Sequence, residues 1–499
     1  MKSIFVLDFG GTAAVIAARK LRGARVFSRI IGADEVSMDI LDMQPSGIVI
    51  TGTDEFGAES WKCIPDGLLT SGIPVLAVGN AAGVLLKRFG GDMREGVLYR
   101  EAALAEFQEC TLFEGIPMSE RFFSDGRTLD LGSEWKAIGA LKNGMVAAFQ
   151  HEKWPLYGMQ FDIEATDPDG WGMLNNFATK VCGCEPDWRM ETFCMHKVQE
   201  LSKCEGDAVI AISGGIDSAV CAELMRRAVG DRLHCVFVNT GLLRKGEMED
   251  VRDMFTNQLH IKLTVVDAQD RILQALRGLS AAQEKRAAIR RVLYDILVEE
   301  AERIGSIDNL VQGTVYTDLI SSRRSHGASS NRIGDGAADA KKQFANCIEP
   351  LDALFKEEVR HLGEVLKLPA ELVNRQPFPS LGLAQRIEGV VTVEKVNILR
   401  EADNILKEEV SSAGLDKKLY QYFCVLTDLK TPGIKAGKPI MQHMLAIRAV
   451  SSKDAMSASA ARMPYDVLER LVQRLVELPY VNRVVYDITP TPVAAVEWL

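Results

Sequence analysis

The residues best equipped for chemistry in this chain are Ser213-Gly214-Gly215-Ile216-Asp217-Ser218. Glycines let a backbone approach a ligand closely. The apolar run Ala208–Ile212 precedes them and the helix-forming segment Ala219–Ala228 follows. The order is therefore buried strand, tight loop, helix N-terminus. Such a turn gathers unpaired N–H groups and the positive end of a helix dipole, which suits a phosphate or pyrophosphate. Ser213 and Ser218 can donate hydroxyl hydrogen bonds, and Asp217 can cap the helix or hold a metal. No lysine follows the glycines, so this is not the loop that ends in Gly-Lys-Ser/Thr. An ordinary serine-capped strand-to-helix turn is the plain alternative.

The elements that must position this loop alternate strand and helix. Leu233–Val238, Lys262–Val266 and Asn309–Thr314 read as strands, and Glu247–Leu259 and Ser280–Ile304 as helices. Repeated βα units give a parallel sheet with ligands at the carboxyl ends of its strands. Ser213–Ser218, Asn239–Gly241 and Gln312–Thr314 fall there. Residues 1–185 have the same rhythm, with apolar runs at Ile4–Leu7, Gly47–Ile50, Ile73–Val78 and Leu156–Phe161, and predict another open parallel α/β sheet. Residues 384–499 read as a small α+β domain, with helices Val396–Leu415 and Pro464–Leu478 and strands Met441–Val450 and Val481–Ile488.

A length of 499 residues allows two to four domains. The net charge of −10 argues against a broad nucleic-acid-binding surface. No apolar run is long enough to span a membrane, and Met1–Asp8 reads as a strand and not as a signal peptide. The ten cysteines read as reduced core residues of a cytoplasmic protein.

The loop resembles the pyrophosphate loop, Ser-Gly-Gly-x-Asp-Ser, of the N-type ATP pyrophosphatases. That resemblance implies ATP held by Ser213, Gly214, Gly215, Ile216, Asp217 and Ser218, with Val238, Gln312, Gly313 and Thr314 alongside. It implies Mg²⁺ on Asp217 and catalytic roles for Ser213, Asp217 and Ser218. Residues 1–185 resemble a class I glutamine amidotransferase domain, through Val6–Gly10 and Tyr157–Phe161. The chemistry of that family needs a thiolate and a base. Here Gly79 stands at the elbow where its cysteine would be, and Asp162 stands in place of its histidine, with Glu164 kept. Its oxyanion turn reads Gly52-Thr53-Asp54, and the nearest histidine in sequence, His151, is far from any elbow. The domain is expected to have lost glutaminase activity and to serve for packing, docking or a different small ligand.

Over its whole length the chain resembles the GMP synthase family, through the loop, Gly241-Leu242-Leu243-Arg244, Gln312-Gly313-Thr314-x-Tyr316-x-Asp318, Glu349-Pro350-Leu351 and Pro377-Phe378-Pro379. The resemblance implies α/β domains at 1–185 (amidotransferase-like) and 186–383 (an adenine-nucleotide alpha-hydrolase-like ATP pyrophosphatase), and an α+β dimerisation domain at 384–499. It implies transfer of AMP to an oxygen of xanthosine monophosphate (XMP), or of a related purine-like nucleotide, and displacement by ammonia or another nucleophile. Homodimerisation is implied as well. Lys285, Arg291, Asp318, Arg386 and Glu497 would contact the substrate; as bare sequence, Lys285 and Arg291 read equally as exposed helix charges. Several family positions differ. Val-Asp-Asn-Gly reads Val238-Asn239-Thr240-Gly241, the basic lid reads Gly327–Asn331, Phe-Pro-Gly-Pro-Gly reads Phe378-Pro379-Ser380-Leu381-Gly382, and a phosphate-binding lysine reads Thr491. Arg323, Arg324, His326 and Arg332 lie near the lid and could stand in for its missing charges. A non-catalytic, nucleotide-binding paralogue is the rival expectation.

Overall fold

The computed structural model describes residues 2–52, 63–163, 168–305, 307–319, 344–379, 381–452, 458–491 and 493–498. The lid 321–340, Thr53, Asp54, Glu164 and Ser380 lie outside them. Two compact units emerge, Met1–Phe193 and Cys194–Leu499.

The first unit is built on a nine-stranded sheet. Its strands are β1 (Ser3–Phe9), β2 (Phe27–Gly32), β3 (Gly47–Gly52), β4 (Val75–Val78), β5 (Asp92–Phe107), β6 (Ser119–Asp130), β7 (Trp135–Leu141), β8 (Val146–His151) and β9 (Leu156–Met159). The order is β2-β1-β3-β4-β9-β8-β7-β5-β6. In the parallel half, β2 to β9, the inner strands β1, β3, β4 and β9 carry the apolar runs of strands buried on both faces, while the edge strand β2 includes exposed Arg29. Helix α1 (Ala13–Gly23) follows β1, and α2 (Asn80–Arg88) follows β4. The other half of the sheet, β8, β7, β5 and β6, is joined antiparallel. The long β5–β6 hairpin mixes charged and apolar residues without a continuous apolar run, so the sequence carried only a weak strand signal there.

In the second unit, β10 (Ala208–Ile212), β11 (Leu233–Asn239), β12 (Leu263–Asp267), β13 (Asn309–Val311) and β14 (Asn346–Ile348) form a parallel sheet of order β12-β11-β10-β13-β14. Chain order runs outward from β10 to one side and returns on the other, so the sheet's switch point lies at β10 and β13. Helices α3 (Ile216–Val229), α4 (Glu247–Asp253), α5 (Ala282–Ile304) and α6 (Lys356–Val365) connect or flank these strands. A second sheet holds β15 (Gln421–Lys435), β16 (Lys438–Ser451), β17 (Ser459–Ala460) and β18 (Val481–Asp487). It packs against α7 (Val393–Ser412) and α8 (Tyr465–Leu475), whose Val467, Leu471 and Leu475 are buried. One apolar cluster runs from Val209 and Leu310 through Leu399 and Leu406 to Leu445 and Leu475. Among the described residues no helix is long and apolar enough to cross a membrane.

Candidate active sites

The loop lies between the end of β10 and the start of α3, whose N-cap is Gly215. Its serines organise it from within. The Ser218 hydroxyl accepts from Ser213 N–H at 3.2 Å, donates to the Gly215 carbonyl at 3.0 Å and lies 3.1 Å from Ser213 Oγ. Gly214 sits at φ +78, and a Cβ there would lie 2.6 Å from Val251 Cγ2, so a side chain is excluded twice over. The two stretches expected beside the loop are brought to it. Gly313 packs so closely that its absent Cβ would touch Asp217 and Ser218 at 3.4–3.5 Å. The Gln312 carbonyl accepts from Cys221 Sγ at 3.8 Å, and Thr314 Oγ1 donates to Glu349 Oε1 at 2.6 Å. Val238 ends up buried near the end of β11, the neighbouring strand.

Asp217 pairs through Oδ2 with Lys356 at the start of α6, while its buried Oδ1 has no hydrogen-bond partner among the described residues. A partnerless buried carboxylate oxygen is costly, and a hard cation is the natural ligand for it. Among the described residues no three His, Cys, Asp or Glu side chains form a cage that could hold an ion alone. Mg²⁺ ordinarily takes one or two carboxylates and completes its shell with phosphates and water, so a single available oxygen beside an anion-binding loop fits it.

Of the expected substrate contacts, Arg386 and Glu497 meet. Arg386 is 1% exposed, with its guanidinium 3.5 Å from Glu497 and 3.6 Å from Asp403, and it lies over the Phe423 ring at 4.1 Å. Gln421 Nε2 donates to the other Glu497 oxygen. Lys285 is not an exposed helix charge: it is 2% exposed and its Nζ donates to the Ile387 carbonyl at 2.7 Å. That half of the expectation is corrected, because the facing carbonyl gives the ammonium a partner indoors. Arg291, on the same helix, is exposed. Asp318 accepts from Val315 N–H at 3.4 Å. Thr491 bonds through its backbone to Ala458 at 2.8 Å and buries its hydroxyl.

Sequence reasoning passed over Lys356, Glu247 and Arg375. Lys356 follows Glu349-Pro350-Leu351 and Arg375 precedes Pro377-Phe378-Pro379, so each stood beside a motif already singled out. Arg375 donates to the Gly214 carbonyl at 2.7 Å and to Glu247.

The first unit has the shape of an elbow, with glycine at its turn. β4 turns sharply into α2 at Gly79, with φ +62 and ψ −131. A Cβ at Gly79 would stand 2.7 Å from Asp162 Oδ1. Asp162 Oδ2 accepts from the backbone N–H and the hydroxyl of Ser124. Burial pushes the Asp162 carboxyl above its usual pKa, and the Ser124 bonds oppose that. The carboxylate thus closes the space a nucleophile's side chain would enter. Burial also raises the thiols of Cys63, Cys182 and Cys184, which disfavours thiolates. His151 is packed against Phe89 and Trp135, and its Nδ1 accepts from Lys153 and Trp154 N–H at 3.0 and 3.1 Å.

Comparison with known proteins bears on the loop-bearing unit and on the chain as a whole. Residues 188–426 match the family model described as NAD synthase, and residues 408–498 the one described as GMP synthase C terminal domain. The chain is 39% identical over 511 residues to the glutamine-hydrolysing GMP synthase of Acetivibrio thermocellus, covering 99% of each chain. It is 37% identical over 508 residues to that of Caldicellulosiruptor saccharolyticus and 38% over 509 residues to that of Geobacillus kaustophilus, again with 99% of each chain covered. An ATP-type pyrophosphate loop at a switch point, joined to similarity along both whole chains, means that the protein belongs to the GMP synthase family.

Proposed function

We propose that the chain is an ATP-dependent, AMP-forming C–N ligase of GMP synthase type that lacks a glutaminase of its own. The buried Asp217 oxygen, without a hydrogen-bond partner among the described residues and beside an intact phosphate loop, carries this reading. Ser213, Gly214, Gly215, Ile216, Asp217 and Ser218 would hold the phosphates, with Val238, Gln312, Gly313 and Thr314 alongside and Mg²⁺ on Asp217. ATP, when bound, supplies an AMP group whose transfer to a carbonyl oxygen of the acceptor releases pyrophosphate; ammonia, or another nucleophile, then displaces AMP. The loop's N–H groups and the α3 dipole would stabilise the charge that gathers on the departing pyrophosphate. The acceptor is a purine-like nucleotide, XMP or a relative, with Arg386 and Glu497 as the best-placed candidate contacts and Arg291 and Asp318 as further ones. The domains 1–185, 186–383 and 384–499, a homodimer and a cytoplasmic location complete the proposal.

The loss of glutaminase rests on Gly79 and on the Asp162 carboxylate that closes the elbow. Thr491, with its hydroxyl buried where the family's phosphate-binding lysine is expected, favours the second reading, a non-catalytic nucleotide-binding paralogue. Pyrophosphate release from ATP and Mg²⁺, with ammonium, with and without XMP, separates the two. XMP-dependent release that Asp217→Asn lowers roughly a hundredfold supports the ligase. ATP binding with no release under any purine-like acceptor supports the paralogue.

A further inference from the structure

The phosphate loop contains a peptide with glycine on both sides, Gly214–Gly215. Without a Cβ on either side, local sterics leave its orientation open. Contacts fix it at both ends. Gly215 N–H donates to Ser213 Oγ at 3.3 Å, within the loop. The Gly214 carbonyl accepts from Arg375 Nη1 at 2.7 Å, from a segment remote in sequence. The guanidinium is itself held, since Arg375 also donates to Glu247, a carboxylate only 3% exposed that pairs with Arg244 at 3.5 Å. The segment that carries Arg375 is anchored in turn. Gln376 Oε1 accepts from Tyr422 N–H at 3.1 Å, and the Pro377 carbonyl from Gln421 Nε2 at 3.3 Å. The Phe378 ring lies under Arg244 at 4.4 Å and Arg386 at 5.3 Å.

We infer, on the reading that this loop takes the pyrophosphate of ATP, that Arg375 is a positioning residue for it. By holding the Gly214 carbonyl on its own guanidinium, Arg375 keeps that oxygen from turning toward the phosphates, where its negative end would repel them. The loop's N–H groups thereby stay in their anion-binding arrangement. Released from Arg375, the diglycine peptide is free to rotate. The effect belongs to pyrophosphate recognition and not to the adenosine end of the nucleotide.

The test is calorimetric titration of the full chain with inorganic pyrophosphate, Mg-ATP and AMP. Arg375→Met keeps most of the stem and removes the fork, and Arg375→Lys keeps one charged donor. The expected result is pyrophosphate and ATP affinity at least about tenfold weaker in R375M, partial recovery in R375K, and AMP affinity changed less than about threefold. Wild-type protein that binds neither ATP nor pyrophosphate defeats the loop reading itself. Wild-type binding with unchanged pyrophosphate affinity in R375M, or with AMP weakened equally, overturns the positioning role alone. Should R375M fail to fold, Glu247→Gln leaves Arg375 an uncharged acceptor; a loss of about threefold in pyrophosphate affinity supports the role and no loss overturns it.

Discussion

Replacing Gly79 by alanine perturbs the turn from β4 into α2 with the smallest possible change. Two costs follow from its geometry. At φ +62 and ψ −131 a residue with a Cβ is strained by about 1–3 kcal/mol. The new Cβ would also stand 2.7 Å from Asp162 Oδ1, so the carboxylate must shift. Shifting it weakens the hydrogen bonds from Ser124, each of a kind worth about 1.5–3 kcal/mol. With one Ser124 bond lost, the two terms together predict a loss of about 2.5–6 kcal/mol in the first unit. In an Asp162→Ala background the second term vanishes, so the same substitution should cost only about 1–3 kcal/mol. Urea unfolding of the full chain, followed by the fluorescence of buried Trp135, measures both legs of this cycle. A cost under about 1 kcal/mol, or an equal cost with and without Asp162, would refute the claim that the carboxylate occupies the elbow.

Arg386→Gln should destabilise the second unit by about 3–5 kcal/mol, because it strands the Asp403 and Glu497 carboxylates beside a fully buried position; a shift in urea midpoint at unchanged slope reads it, and Glu497→Gln should cost less. Burial first, and then the charge of Lys395, holds the Lys285 ammonium below its usual pKa. Between that depressed value and the ordinary lysine value of 10.5 the unfolded chain keeps a proton that the folded chain has released, so stability rises with pH across that window. Lys285→Met should flatten that rise, as melting temperatures from neutral pH up to about 10 would reveal.

The strand–loop–helix at Ser213–Ser218 was legible because its signals are local: an apolar run, two glycines and a capped helix start. Gly79 and Asp162 were legible too, since each stands just past the end of a recognisable strand. Their mutual fit was not, because it depends on β4 and β9 lying side by side. Arg375, Glu247 and Lys356 reach the loop across long stretches of chain, and nothing in their immediate neighbours predicts where an arginine or lysine head will end. The burial of Lys285 was not legible for a related reason. A basic helix residue looks solvated until the carbonyl of Ile387 is seen to face it. The β5–β6 hairpin lacked the continuous apolar runs that marked its neighbours such as β1, β3 and β4.

The central claim, a GMP synthase-type ligase without a glutaminase, is tested most directly by nitrogen source. Product formation from XMP, ATP and Mg²⁺ should be followed alongside glutamate release, with ammonium in one reaction and glutamine in the other. The account predicts GMP with ammonium, and neither GMP nor glutamate with glutamine alone. Glutamate released from glutamine by the intact protein would contradict it.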